Sequence, residues 1–202
     1  MEDFFAKVGR FWPAGRRDLH WHILPNLAEA DALIDPYQRL IPPGLQAVGA
    51  GGMHCTLLHA IGLGRGDVDV DALVKDAESA VGTVRPFTLT FDRPAIGPFA
   101  VELSGWPGRL FTELVDAVTL VTARTGAAFR PGPSRYPHLS VAYTTAGAEH
   151  VDPIGLKAAL ADIDRPLSAT VEADRIHLVE QWHDGERILF TPIAEVLLGA
   201  TV

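Results

Sequence analysis

Two short stretches decide how this chain is read: Gly52-Met53-His54-Cys55-Thr56-Leu57-Leu58-His59-Ala60-Ile61 and Tyr136-Pro137-His138-Leu139-Ser140-Val141-Ala142-Tyr143. Each holds a histidine followed two residues later by a hydroxyl, inside an apolar run that reads as a strand. Side chains i and i+2 of a strand share a face. His54 therefore projects with Thr56, and His138 with Ser140, each pair roughly 7 Å apart along its strand. Cys55, Leu57, Leu139 and Val141 point the other way, into a core. About 0.7 such pairs arise by accident in a chain with eight histidines, so the spacing alone is a weak signal. The matching context of the two carries the weight.

Working outward, the same order of elements surrounds each stretch. Residues 19–24 (LHWHIL) read as a strand. Apolar positions from Leu27 through Ala30, Ile34 and Tyr37 to Ile41 have helical spacing, which Pro36 should kink or split. After the first stretch, Val70, Leu73, Val74, Ala77 and Val81 mark an amphipathic helix, with Asp67 or Asp69 as its cap. Residues 87–91 then alternate as a half-buried strand. In the second half, residues 99–103 are a strand, and Leu110, Leu114, Val118 and Val121 a helix. After the second stretch, Asp152-Pro153 opens a helix, a strand follows near Thr170, and a hairpin turns at Asp184-Gly185. His54 lies 34 residues after His20, and His138 lies 38 after Ala100. Fixed order at nearly fixed spacing indicates an internal duplication. One bilobal domain over residues 1–202 is expected, with lobes near 15–92 and 99–192 and a boundary at 93–98.

Two lobes related by a pseudo-twofold would set two imidazoles across one cleft. Histidine's unperturbed pKa lies near neutrality. One ring can take a proton from an attacking hydroxyl or water while the other gives one to the leaving oxygen. The Thr56 and Ser140 hydroxyls can donate to non-bridging phosphate oxygens, where charge develops. The scheme uses no metal and no other cofactor.

The bulk composition narrows the substrate. The chain has 202 residues, is 48% hydrophobic and carries a net charge of −8. That excludes sequence-independent binding of long nucleic acid, which needs a basic surface. A nucleotide or short RNA end gripped in a locally positive cleft fits better. No stretch approaches the length of an apolar membrane span, and residues 1–10 lack a signal peptide's apolar core. One cysteine excludes an intrachain disulfide and a Cys-rich zinc site. A cytoplasmic monomer is expected.

The paired His-x-Thr/Ser-hydrophobic signature, with the flanks "GMHCTLLHAIG" and "YPHLSVAY", resembles the two-histidine (2H) phosphoesterase superfamily, in its 2′-5′ RNA ligase and cyclic phosphodiesterase group. Pro137 before His138 matches the usual aromatic-x-Pro-His pattern. The resemblance spans residues 19–191 in element order. It implies an α+β, bilobal, duplicated fold with mainly antiparallel sheets facing a central groove. It also implies a metal-independent phosphodiesterase that opens or forms 2′,3′-cyclic phosphates or 2′-5′ linkages, with ligation of RNA ends as the reverse-type reaction. His54 and His138 would be catalytic, and Thr56 and Ser140 would bind phosphate. The chain departs from the pattern at Ser140, where threonine is commoner, and at His20-Trp21-His22, where an aliphatic strand is usual.

Other residues carry two readings each. His20 and His22 share a face. They line the groove as substrate contacts, or sit half-exposed at an edge, or with His54 or His59 make a three-histidine zinc site and hence a metal-dependent hydrolase. By strict alternation His59 faces away from His54 and Tyr143 away from His138, which suits structural or rim roles. Arg130, Arg135 and Tyr136 form a positive loop that attracts phosphate, or a solvated loop rich in proline and glycine. Trp182 stacks a base at the groove mouth or packs as core. Gly49 to Gly52 lacks the context of a phosphate cradle. A non-catalytic nucleotide-binding module is the remaining alternative.

Overall fold

The structure is a computed structural model that describes residues 1–92, 94–163 and 168–200. Local signals set its element ends. Asn26 and Glu29 cap the N-terminus of α2 (Leu27–Ile34) reciprocally. Past Pro36 the chain makes only a 3₁₀ turn at Gln38–Leu40, so proline splits the expected helix. Asp69, not Asp67, caps α3 (Val70–Val81), its Oδ1 accepting from the Ala72 amide at 3.1 Å. Asp152 caps α5 (Pro153–Ala161), with proline in the first turn. The other helices are α1 (Phe4–Val8) and α4 (Gly108–Arg124).

Two antiparallel sheets form the body. The first has the order β11 (Ile188–Leu197), β10 (Arg175–His183), β1 (Asp18–Ile23), β3 (Cys55–Ile61), β7 (Arg130–Pro133). The second has the order β2 (Leu45–Ala47), β8 (His138–Thr144), β6 (Ala100–Trp106), β4 (Phe87–Phe91), β9 (Ala169–Ala173), with β5 (Ala95–Ile96) on β6. The expected α+β class with antiparallel sheets is the one observed. The two expected lobes, however, do not coincide with the sheets. β2 and β4 from the first half lie in the second sheet, and β7, β10 and β11 from the second half lie in the first. Each motif strand, β3 or β8, is thus flanked by the short strand that precedes the other motif. Of the boundary segment 93–98, Arg93 lies outside the described residues.

The segment 130–133, read as a loop, is a strand because it sits at a sheet edge. Pro131 and Pro133 oppose Ala60 and Leu58 there, and an edge tolerates their missing amides. Arg130 accordingly stands on a strand, its guanidinium 5.0 Å from the Phe11 ring centroid.

Both motif strands contain a β-bulge at the same place. On β3, His59 opposes His20 and Thr56 opposes His22, with the register shifting between them. On β8, Tyr143 opposes Ala100 and Ser140 opposes Glu102, again with a shift. One extra residue on the bulged strand breaks the two-residue period. Opposed residues share a face, so His59 joins Thr56 and Tyr143 joins Ser140. This corrects the alternation argument for both residues. The bulge also lets two consecutive side chains point inward. Leu57, Leu58, Val141 and Ala142 are all buried. α4 packs over β3, and the Trp21 indole N–H donates to the buried Thr122 hydroxyl at 3.1 Å, which ties α4 to β1.

Leu57→Ala should therefore cost about 2–5 kcal/mol, and Leu57→Met under about 1.5 kcal/mol. Urea unfolding measures both; equal small losses would mean that the bulge position is not packed.

Candidate active site

The two motifs meet. His54 immediately precedes β3, and the Cys55 thiol is hydrogen-bonded to the backbone of His138 at the start of β8. Each histidine is oriented by a carbonyl two residues upstream. The His54 Nδ1–H donates to the Gly52 carbonyl at 2.8 Å, and the His138 Nδ1–H to the Tyr136 carbonyl at 3.1 Å. Fixing the proton on Nδ1 leaves Nε2 of each ring as the nitrogen for chemistry. Thr56 and Ser140 are buried beside them, at 3% and 8% exposure. His54 is equally enclosed, whereas His138 is half-buried.

A layer of rings supports His54 from below. Its ring centroid lies 4.7 Å from that of His22 and 5.5 Å from that of Phe190. His22 bonds through Nε2 to the Gln181 side-chain oxygen. His20 stacks on His22 at 6.0 Å, and its Nδ1 shares a 2.8 Å hydrogen bond with His59 Nδ1, one donating to the other. Trp12 packs on His20 and accepts at its carbonyl from His183 Nε2. His20 and His22 are fully buried on an interior strand, so the edge-strand reading fails. Nor do they open as a surface to substrate; they form the floor under His54. Among the described residues, no three His, Cys, Asp or Glu side chains converge to hold a metal ion, so the three-histidine zinc site is not assembled.

Burial lowers the pKa of His54 to about 4, opposed by the Gly52 hydrogen bond and reinforced by His138. Burial, then His54 and His138, brings His59 to about 3. Burial also pushes His20 and His22 well below the usual imidazole value, and neighbouring imidazoles add to the shift. Desolvation disfavours the charged ring in every case.

A cavity of about 270 Å³ opens beside the motifs, lined in part by Val48, Gly52, Tyr143, Ile188 and Phe190. None of the four motif side chains lines it, but Gly52 and Phe190, which do, both contact His54. Tyr143 lines it too, its hydroxyl in hydrogen-bonding contact with Ser140, and burial raises its pKa to about 12. Trp182 also lines the cavity, with the Arg17 guanidinium 3.8 Å over its ring. Arg135 and Tyr136 are exposed, and the Tyr136 ring lies 5.2 Å from that of His138. The sequence reading passed over Phe190 and Gln181, which carry no local motif. For His59 and Tyr143 a signal did exist. The doublets Leu57-Leu58 and Val141-Ala142 cannot both alternate and stay buried, and so announce the bulges.

Two antiparallel sheets, each contributing a strand with a His-x-Thr/Ser pair that lies beside the other's, constitute the fold expected from the resemblance to the two-histidine phosphoesterases. Particular proteins share it. LigT of E. coli, crystallised with 3′-AMP, is 21% identical, with 90% of this chain and 98% of that one covered at a TM-score of 0.65. A structure described only as a phosphoesterase is 21% identical with the same coverages and a TM-score of 0.66. TT0787 of Thermus thermophilus is 14% identical over 91% of this chain and 98% of that chain, with a TM-score of 0.64. No protein-family model and no curated protein matches the sequence. Among the described residues no helix is long and apolar enough to cross a membrane.

The buried imidazoles make stability depend on pH with a definite sign. Their folded pKa values lie below the unfolded value of about 6.5. Between roughly pH 4 and 6.5 the unfolded chain therefore binds more protons, and stability falls as the pH drops through that window. At pH 5.5, His20, His22, His54 and His59 together should make unfolding take up about three to four protons. Calorimetry in buffers of different ionisation enthalpy reads that number; uptake below one would show that the rings are not held neutral.

Proposed function

We propose that the chain is a metal-independent phosphodiesterase that acts on 2′,3′-cyclic phosphates or 2′-5′ linkages of RNA ends or nucleotides. The observation that carries this reading is the pair of histidines anchored through Nδ1, each with Nε2 left for the reaction and a hydroxyl two residues on. Further support comes from the shared fold with LigT, whose crystal structures include complexes with 3′-AMP, NADP+ and ATP.

In the cleavage step His54 is the base, since burial keeps it neutral. Its Nε2 takes a proton from the attacking hydroxyl as that oxygen bonds to phosphorus. The bond from phosphorus to the leaving oxygen breaks. His138, nearer to solvent, donates its Nε2 proton to that oxygen. In hydrolysis of a 2′,3′-cyclic phosphate the roles exchange: water enters on the His138 side and gives its proton to that ring, and His54 protonates the departing ribose oxygen. Thr56 and Ser140 donate to the non-bridging oxygens, where negative charge grows. The products are a phosphate monoester and a free hydroxyl. Proton exchange with solvent resets the two rings. The cavity beside His54 receives the nucleoside. An RNA-processing role in the cytoplasm accords with this chemistry.

His54→Ala and His138→Ala should each lower kcat on a 2′,3′-cyclic nucleotide by about 10²–10⁴-fold while the circular dichroism spectrum is retained. A nucleoside nitrophenyl phosphodiester separates the two roles. Its leaving group needs no proton, so it should restore turnover to His138→Ala and not to His54→Ala. Rescue of the opposite variant would reverse the assignment. Turnover should also survive EDTA; loss to chelator with recovery on adding zinc would favour a metal-dependent hydrolase. Tight nucleotide binding without turnover by the wild type would favour a binding module.

A further inference from the structure

The two ends of β8 differ, and the phosphate-binding motif lies between them. At the Tyr143 end, β2 pairs alongside, with Gln46 opposite Tyr143, and the cavity opens there. At the other end, β6 runs beside β8 with Glu102 opposite Ser140 and Ser104 opposite His138. The Gly105 amide donates to the Pro137 carbonyl at 2.8 Å, so the pairing continues one step beyond the ladder. Beyond them stand Trp106, the last residue of β6, and Tyr136, in the bend that precedes β8. By the two-residue period Trp106 shares the face of Ser104, which opposes His138. Trp106 and Tyr136 are 48% and 47% exposed, and the Tyr136 ring already lies 5.2 Å from that of His138. Large exposed aromatics beside a polar groove lose nothing by stacking on a planar ligand, and every nucleobase offers such a face.

We propose that Trp106 and Tyr136 form a base-stacking lip that holds a second nucleoside, the one that leaves. The substrate class is then a phosphodiester with a nucleoside on each side of the phosphorus, in preference to a cyclic mononucleotide. This rests on the phosphodiesterase reading above and extends it. One nucleoside occupies the cavity beside His54 and the other lies on the lip beside His138. In a 2′-5′ linkage the adjacent 3′-hydroxyl attacks phosphorus and gives its proton to His54. The P–O5′ bond breaks, and His138 protonates the departing 5′-oxygen. The products are a 2′,3′-cyclic phosphate and a nucleoside with a free 5′-hydroxyl. The lip stands next to the ring that donates the last proton, as the leaving half requires.

The test is a ratio: kcat/KM for 2′-5′-linked diadenosine monophosphate over kcat/KM for adenosine 2′,3′-cyclic phosphate. Trp106→Ala and Tyr136→Ala should each lower it about tenfold or more, chiefly through KM for the dinucleotide, and Trp106→Phe should recover most of the loss. Both residues are on the surface, and the variants should unfold like the wild type. An unchanged ratio, or equal losses on both substrates, overturns the lip. A wild type that turns over neither substrate counts against the phosphodiesterase reading instead. The lip is then read by binding: Trp106→Ala should weaken the dinucleotide at least about tenfold more than 3′-AMP. Equal weakening overturns it.

Discussion

One extra residue in each motif strand governs the geometry of the site. Without the bulges, His59 and Tyr143 would point into the helix-covered core, and Leu58 and Ala142 would point into the groove. Neither exchange is tolerable, because a ring with a polar edge would be buried without a partner and an apolar side chain would displace a binding surface. With the bulges, a hydroxyl and a polar ring share each groove-facing side, and two successive apolar residues share the other. The two strands repeat this device at matching positions. His20 and Ala100, aligned by spacing alone, occupy equivalent places opposite the rings. The duplication is visible in hydrogen-bond register where residue identity has faded.

The two halves have kept the geometry and diverged in electrostatics. Around His54 the neighbours are imidazoles and Phe190, and burial disfavours its charged form. Around His138 the surroundings are open, with a phenol at its edge and solvent beyond. A symmetric frame therefore holds an asymmetric pair, one ring enclosed and the other half-buried.

Much of this was legible in the sequence. The His-x-Thr and His-x-Ser pairs, their apolar strands, the caps at Asp69 and Asp152 and the split at Pro36 all follow from local chemistry, which needs no partner strand. What stayed hidden depends on pairing. The sheet to which β4 or β10 belongs is decided by contacts remote in sequence. The segment Arg130–Pro133 has the composition of a loop and becomes a strand only because an edge position asks little of prolines. His20 and His22 share a face as alternation requires, yet whether that face is open or sealed depends on Trp12, which arrives from outside the repeat.

The exchange of β2 and β7 between the sheets limits how the molecule can move. Each motif strand is hydrogen-bonded to a segment that continues, through a few residues, into the opposite motif strand. Between β9 and β10 a single residue, Asp174, carries the chain from one sheet to the other. Prising the halves apart would strip backbone pairs from both. The groove is therefore welded at several seams and acts as a fixed gauge. The two imidazoles are thus held at a set spacing by the sheets themselves, before any ligand arrives.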